Sequence, residues 1–230
     1  MKSQRIITGF LWVVSPILFM SAFTSLQIMF EYPDILRQPA GSVLERFAAG
    51  GSPLIVSWYV MLLSAFLFIP VAVLIHPFLV GEKTWYLPLA TAFGVIAGVV
   101  QMLGFVRWSF LVPTMAASYM DPAAAHAARE TYSAVFLAFN QYAGAGIGEH
   151  LGYAFTGLWG LLAGLAMLDS DIFPKWLGWV GILSSLGILA GLLEPAGVAW
   201  TGAVNALAYI LWALWLLASG LILLIRKERT

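Results

Sequence analysis

The chain has 230 residues, of which 61% are hydrophobic and 10% are charged, and its formal net charge is zero. Soluble globular domains carry roughly a quarter charged residues, so this composition excludes a water-soluble domain and indicates a membrane protein. There is no block of Lys and Arg to favour nucleic acid. The absence of cysteine excludes disulfides, thiolate metal sites and thiol–disulfide exchange.

The first predicted element is an uncleaved membrane span, which begins at Ile6 after the basic residues Lys2 and Arg5. Its apolar run continues to Phe30, about 25 residues, whereas the apolar part of a secretion signal has roughly 7–15. We therefore interpret this segment as the first transmembrane helix.

Five further apolar segments follow along the chain, each close to the roughly 20 residues that a helix needs to cross a bilayer. We predict an all-α fold, a polytopic six-helix transmembrane bundle that forms a single transmembrane domain over residues 1–230. Aromatic residues at many span ends are typical of an interfacial belt. The predicted spans are residues 6–30, 53–75, 85–111, 147–168, 176–193 and 200–225.

The basic residues predict the orientation, because cytoplasmic segments of membrane proteins are enriched in Lys and Arg. We expect a protein of the bacterial cytoplasmic (inner) membrane with cytoplasmic N- and C-termini. The predicted inner residues are Lys2, Arg5, Lys83, Lys175, Arg226, Lys227 and Arg229, and the predicted outer ones are Arg37, Arg46, Arg107 and Arg129.

Two long segments, residues 31–52 and 112–146, are predicted to lie outside the membrane. The second is expected to contain an extra helix over residues 122–142, with Asp121 as its N-cap and Pro122 at its first position. This extracytoplasmic or interfacial helix is expected to lie on the outer face or to dip into it.

A ladder of small residues marks the predicted fourth span. Small side chains spaced by four let a neighbouring helix backbone approach closely, so the ladder indicates helix packing. If it faces another chain, it predicts a homo-oligomer or a partner in a membrane complex. The ladder consists of Gly144, Gly148, Gly152, Thr156, Gly160 and Gly164.

Polar groups inside a membrane are costly, so they are the first candidates for function. Arg107 lies inside the third predicted span, and we expect a carboxylate partner from Glu149, Glu194 or Glu31. The functional interpretation places Arg107 at the floor of an outward-open pocket, where its fork binds a carboxylate or a phosphate. The alternative is an ion pair that fixes helix register. The other predicted ligand-binding residues are Gln101, Trp108, His150 and Asn205.

A metal site is the weaker alternative. His126 and Glu130 are spaced i, i+4 and therefore share a helix face, and with Glu149 and His150 they make a set of two histidines and carboxylates. With only three histidines in the chain, this spacing is a weak signal, and the sequence assigns no cofactor.

Two stretches carry a family resemblance, QMLGFVRWSFLVP at Gln101–Pro113 and FPKWLGWVGILS at Phe173–Ser184. In these and in its order of spans the chain resembles the bacterial membrane proteins grouped as domain of unknown function 4386. The resemblance implies that Arg107–Trp108 and the Lys175–Trp176 turn belong to a shared framework, and it implies no activity.

The one-sided distribution of polar residues favours a membrane protein that binds an amphipathic small molecule or lipid in an outward-facing intramembrane cavity. Two alternatives stay open. One is a membrane enzyme at the outer face, with or without a metal, and the other is a structural or regulatory membrane subunit.

Overall fold

The computed structural model describes residues 2–226, and every regular element within that range is a helix. The predicted all-α fold is therefore confirmed. The α-helices are α1 (Lys2–Phe30), α2 (Ala40–Leu74), α3 (His76–Leu79), α4 (Leu87–Met120), α5 (His126–Phe139), α6 (Gly152–Leu168), α7 (Lys175–Ala190) and α8 (Thr201–Ile225). Short 3-10 helices occupy Asp34–Arg37 and Gly191–Ala196, and a π-helix occupies Asn140–Leu151.

Six helical runs in the described part of the chain are long and apolar enough to cross a membrane, which confirms the predicted number of spans. The protein is thus a multi-pass membrane protein. The six runs are Lys2–Phe30, Ala40–Leu74, Leu87–Met120, His126–Leu168, Lys175–Ala196 and Thr201–Ile225. The second, third and fourth are considerably longer than the sequence predicted.

The segment predicted as the first outer loop, residues 31–52, is helical from Ala40 onward. The helix α2 carries a bend at Gly51, whose φ of 54° and ψ of −151° are outside the helical region. Glycine tolerates this backbone because it has no Cβ, and Pro53 cannot donate a backbone hydrogen bond across the bend. The second half of this predicted outer segment is thus the first part of a bent helix.

The predicted helix over residues 122–142 exists, but the predicted positions of its two ends were wrong. Asp121 Oδ1 accepts a hydrogen bond from the Ala123 amide at 2.9 Å and so stabilises a local turn, and α5 begins at His126. At its other end α5 continues through the π-helix into α6, so His126–Leu168 is one run of 43 residues. The extra helix is therefore the first part of the fourth run.

The described chain divides into two compact units. Unit 1 takes in the chain up to Ile17, Ser64–Val99 and the chain from His150 onward. Unit 2 consists of Leu18–Leu63 and Val100–Glu149. The single transmembrane domain predicted over residues 1–230 stays a prediction.

Unit 1 is built around buried tryptophans. The ring centroids of Trp12 and Trp215 lie 5.6 Å apart, and Trp159 lies 5.8 Å from both. Trp12 also donates from Nε1 to the Val71 carbonyl at 3.0 Å, which joins α1 to α2. A Cβ added at Gly160 would overlap Ser185 Oγ, so this member of the small-residue ladder packs within the unit, as a packing role predicts.

Unit 2 has an aromatic core of its own. The rings of Trp58 and Trp108 stack with centroids 4.6 Å apart and planes 7° from parallel. Phe30 meets the Trp108 ring edge-on at 5.4 Å, so α1, α2 and α4 share this core. Aromatic pairs in these geometries add to the stabilisation from area burial. Arg107, the neighbour of Trp108 in sequence, lies beside this aromatic core.

Candidate functional site

Arg107 is the most buried charged residue of the predicted site, with 7% of its surface exposed. Its Nη1 donates to the Gly104 carbonyl one turn earlier on α4, and its Nη2 donates to Asn140 Oδ1 at 3.1 Å. Its Nε is buried and has no acceptor among the described residues. A buried guanidinium normally satisfies its donors, whereas here both terminal nitrogens are bonded and Nε is not.

Glycine and a widened helix make room for the guanidinium. A Cβ added at Gly144 would overlap Arg107 Nη2, and a Cβ at Gly148 would lie 2.9 Å from the Gly104 Cα. Both glycines belong to the π-helix, and Asn140 is its first residue. π-Helical turns are rare and are frequently found at functional sites. The segment that approaches Arg107 is thus irregular where it supplies the hydrogen-bond partner.

An aromatic wall lies on the other side of the guanidinium. Its Cζ is 5.0 Å from the centre of the Trp108 ring, within the range of a cation–π contact. Trp58, stacked on Trp108, has a buried Nε1 that finds no acceptor in the part of the chain that the structure describes. The wall therefore holds a second unsatisfied donor close to Arg107.

A narrow pocket lies within unit 2 at this point. Its interior measures about 10 Å³, which is room for about one water molecule. The lining includes one cation and one carboxylate, and Glu149 attracts the guanidinium electrostatically. The lining residues are Tyr32, Trp58, Gly104, Phe105, Arg107, Trp108, Gly144, Gly148 and Glu149.

Three of the predicted ligand-binding residues, Arg107, Trp108 and Glu149, are brought together in this pocket. Two others of unit 2 are not among its lining residues. Glu31 pairs instead with Arg46, with Oε1 and Nη2 2.6 Å apart, and Gln101 lies about two turns before Arg107 on α4.

The remaining three predicted residues, His150, Glu194 and Asn205, belong to unit 1. Asn205 is buried and donates from Nδ2 to the Ile188 carbonyl at 2.8 Å, so it ties α8 to the end of α7. Glu194 lies in the 3-10 turn that follows α7, and His150 lies near the end of the π-helix. The pocket of unit 2 is lined by none of the three.

The residues of the metal alternative do not form a metal centre in the described chain. His126 Nδ1 lies 3.6 Å from Glu130 Oε1, and both side chains are largely exposed. Across residues 2–226 no group of three or more His, Asp or Glu is close enough together to hold a metal ion.

Sequence reasoning missed Asn140, Tyr32 and Gly104 as site residues. Asn140 was visible only as a polar residue of a predicted surface helix, and its pairing with a residue 33 positions earlier depends on tertiary structure. Gly144 appeared in the small-residue ladder, whose spacing indicated close helix packing but not a guanidinium as the neighbour.

The fold and site together define a multi-pass α-helical membrane protein with a buried arginine pocket inside one of its helical units. A family model described as "Domain of unknown function (DUF4386)" matches residues 7–220. The chain therefore belongs to the DUF4386 family, which confirms the resemblance of its sequence motifs. No curated protein and no solved structure is detectably similar to it.

Proposed function

We propose that the protein binds the polar head group of an amphipathic small molecule, of the lipid or isoprenoid class, at Arg107 in unit 2. The observation that carries this proposal is the presence of two buried, unsatisfied N–H donors in residues that line one pocket. These are Arg107 Nε and Trp58 Nε1, neither of which has an acceptor among residues 2–226.

Unsatisfied buried donors are energetically unfavourable. Leaving such a group without a partner costs about 1–3 kcal/mol, and more when it is charged. Each such group in a folded protein calls for an explanation, and the usual ones are an ordered water molecule, a bound ion or a functional role. A phosphate or carboxylate offers several acceptor oxygens to such donors, and charged acceptors form about twice as strong a bond.

The fork of Arg107 has the geometry for such a group. An arginine binds an oxyanion side-on through Nε and Nη2, and here Nε is unsatisfied while Nη2 is bonded to an uncharged amide. In the proposed binding step the head group replaces the Asn140 amide at Nη2 and accepts from Nε. Because the pocket is narrow, this exchange includes an outward shift of the Asn140 side chain.

The apolar part of the ligand remains in the surrounding lipid in this proposal. Leu103 and Phe110 of α4 flank Arg107 in sequence, and 51% and 65% of their surfaces are exposed. They offer apolar contacts to an acyl or prenyl chain whose head group is at Arg107. We further propose that the membrane is the bacterial inner membrane and that the site opens to its outer side, following the distribution of basic residues.

Native mass spectrometry of the detergent-extracted protein tests this function. We expect a co-purifying lipid adduct on the wild-type protein that falls at least tenfold in Arg107→Gln, because the charge is lost. Arg107→Lys should fall less but clearly, since an ammonium lacks the planar fork. Arg37→Gln is the control, because Arg37 is exposed and pairs with Asp34 in the same unit. An adduct of equal abundance in wild type and Arg107→Gln overturns the proposal.

A further inference from the structure

We infer that the head group is a zwitterion, with a primary ammonium a few bonds from a phosphate or carboxylate. This inference rests on the proposed function and names the chemical class of its ligand. The juxtaposition that carries it is Arg107 and Glu149 in the lining of one pocket.

The lining carries equal and opposite formal charges. Arg107 contributes the positive charge, Glu149 the negative one, and the other lining residues are uncharged. An anion without a cation of its own pairs with Arg107 but is repelled by Glu149, and this repulsion is weakly screened away from water. A zwitterion presents the complementary charge to each group. The pocket therefore favours a ligand that is itself close to neutral.

The two charges are held close to one helix crossing. Arg107 lies one turn after Gly104 on α4, and Glu149 directly follows Gly148 in the π-helix. A Cβ at Gly104 would lie 2.6 Å from the Gly148 Cα, so the two backbones touch there. The two charged side chains consequently belong to the same small region. A head group whose own two charges are only a few bonds apart therefore suits two pocket charges that lie in one small region.

The chemistry of the pocket favours a primary over a quaternary ammonium. A primary ammonium donates hydrogen bonds to a carboxylate, whereas a trimethylammonium has no N–H to donate. The rings of Trp58 and Tyr32 in the lining provide aromatic surface beside the cation. Phosphoethanolamine and amino-acid head groups meet these requirements.

Competition between lipids with identical acyl chains tests the inference. The protein is delipidated and offered phosphatidylethanolamine, phosphatidylglycerol and phosphatidylcholine in equal amounts, and the retained adducts are measured by native mass spectrometry. We expect wild type to retain phosphatidylethanolamine about tenfold over each of the others, the effect of one charged hydrogen bond. In Glu149→Gln the ratio to phosphatidylglycerol should fall to about one.

Two further variants keep the result interpretable. Glu149→Asp retains the charge and should retain the preference, so it shows that loss in Glu149→Gln is not a folding defect. Glu45→Gln removes an exposed carboxylate of the same unit and should change nothing. Free phosphoethanolamine is added as a competitor. If it displaces the lipid, the ligand of the site can be a soluble zwitterion; if it does not, the ligand is the lipid itself.

The outcomes separate this inference from the proposed function. If wild type prefers phosphatidylglycerol or phosphatidylcholine, or if Glu149→Gln leaves the ratio unchanged, the zwitterion inference is overturned. The proposed function still stands in that case, provided that the adduct depends on Arg107. If no retained lipid depends on Arg107, the proposed function itself fails.

Discussion

Arg107 Nη2 lies 3.1 Å from Asn140 Oδ1, so a buried arginine of this membrane protein is held by a neutral amide where a carboxylate was expected. Of the three predicted carboxylate partners, Glu31 pairs with Arg46 and Glu194 belongs to unit 1. Glu149 lies in the pocket lining. Glu149 also attracts the guanidinium electrostatically, so Arg107 combines a neutral hydrogen-bond partner with a nearby carboxylate.

The Asn140 amide is therefore the first target for substitution. We expect Asn140→Asp to preserve or raise thermal stability, because a carboxylate pairs strongly with the guanidinium. The same variant should abolish lipid retention, because this ion pair occupies the nitrogens that would bind the head group. Asn140→Ala should lower the free energy of unfolding by about 1–3 kcal/mol, since Nη2 loses its acceptor. Thermal unfolding in detergent and native mass spectrometry measure the two effects. Undiminished lipid retention in Asn140→Asp contradicts the displacement step.

Gly144 provides a steric test of the same site. A Cβ there would overlap Arg107 Nη2, so Gly144→Ala should move the guanidinium, lower the unfolding temperature and reduce the lipid adduct severalfold. Gly146→Ala is a matched control in the same π-helix, because its Cβ would lie 3.5 Å from the nearest other atom, the Gln141 carbonyl. If both variants behave like wild type, the contact between Gly144 and Arg107 does not shape the site.

Gly160 tests the packing of unit 1 independently of the site. Gly160→Leu should lower the free energy of unfolding by about 1–3 kcal/mol, because the added side chain overlaps Ser185 and Trp212 in a closely packed core. Gly202→Ala in α8 is the control, since its Cβ would be in ordinary contact, 3.6 Å from Glu194 Oε1. Complex size is measured alongside the unfolding temperature. A smaller complex at unchanged stability favours the alternative in which the ladder contacts another chain.

The absence of cysteine makes the predicted orientation straightforward to test. Single Glu45→Cys and Lys83→Cys variants place one thiol each at exposed positions of the described chain. With cytoplasmic termini, a membrane-impermeant thiol reagent should label position 45 in intact cells and position 83 only after permeabilisation. The reverse pattern shows that the basic residues predict the wrong orientation.

The sequence was sufficient to predict the fold, because the ability of a segment to span a membrane depends on its own length and apolar composition. Six apolar runs therefore identify six helices without knowledge of their neighbours. It was insufficient for the helix ends. Gly51 with Pro53, and Asp121 with Pro122, look like loop or cap signals, yet α2 continues across the first pair and α5 begins only after the second. At both places the local sequence favours a bend or turn, and the tertiary structure determines whether the helix ends there or continues.

Three of the lining residues were predictable from the sequence, namely Arg107, Trp108 and Glu149. A charge within an apolar span demands a special environment, and this identified Arg107. The hydrogen-bond partner of Arg107, Asn140, could not be identified in the same way, because an asparagine at the end of an alanine-rich helix is common and indicates no particular partner. The π-helical backbone that presents Asn140 is set by packing of Gly144 and Gly148 against α4, and no residue spacing encodes it directly.

The π-helix has a consequence for how relatives of this chain diverge. Successive residues in an α-helix are about 100° apart around its axis, so gaining or losing one residue between Asn140 and Gly148 rotates Asn140 relative to Gly148, which packs against α4. Asn140 would then turn away from the arginine. Relatives that keep both residues should therefore keep the length of this stretch constant, even where its composition drifts. Those with an insertion or deletion there should have lost one of the two residues as well.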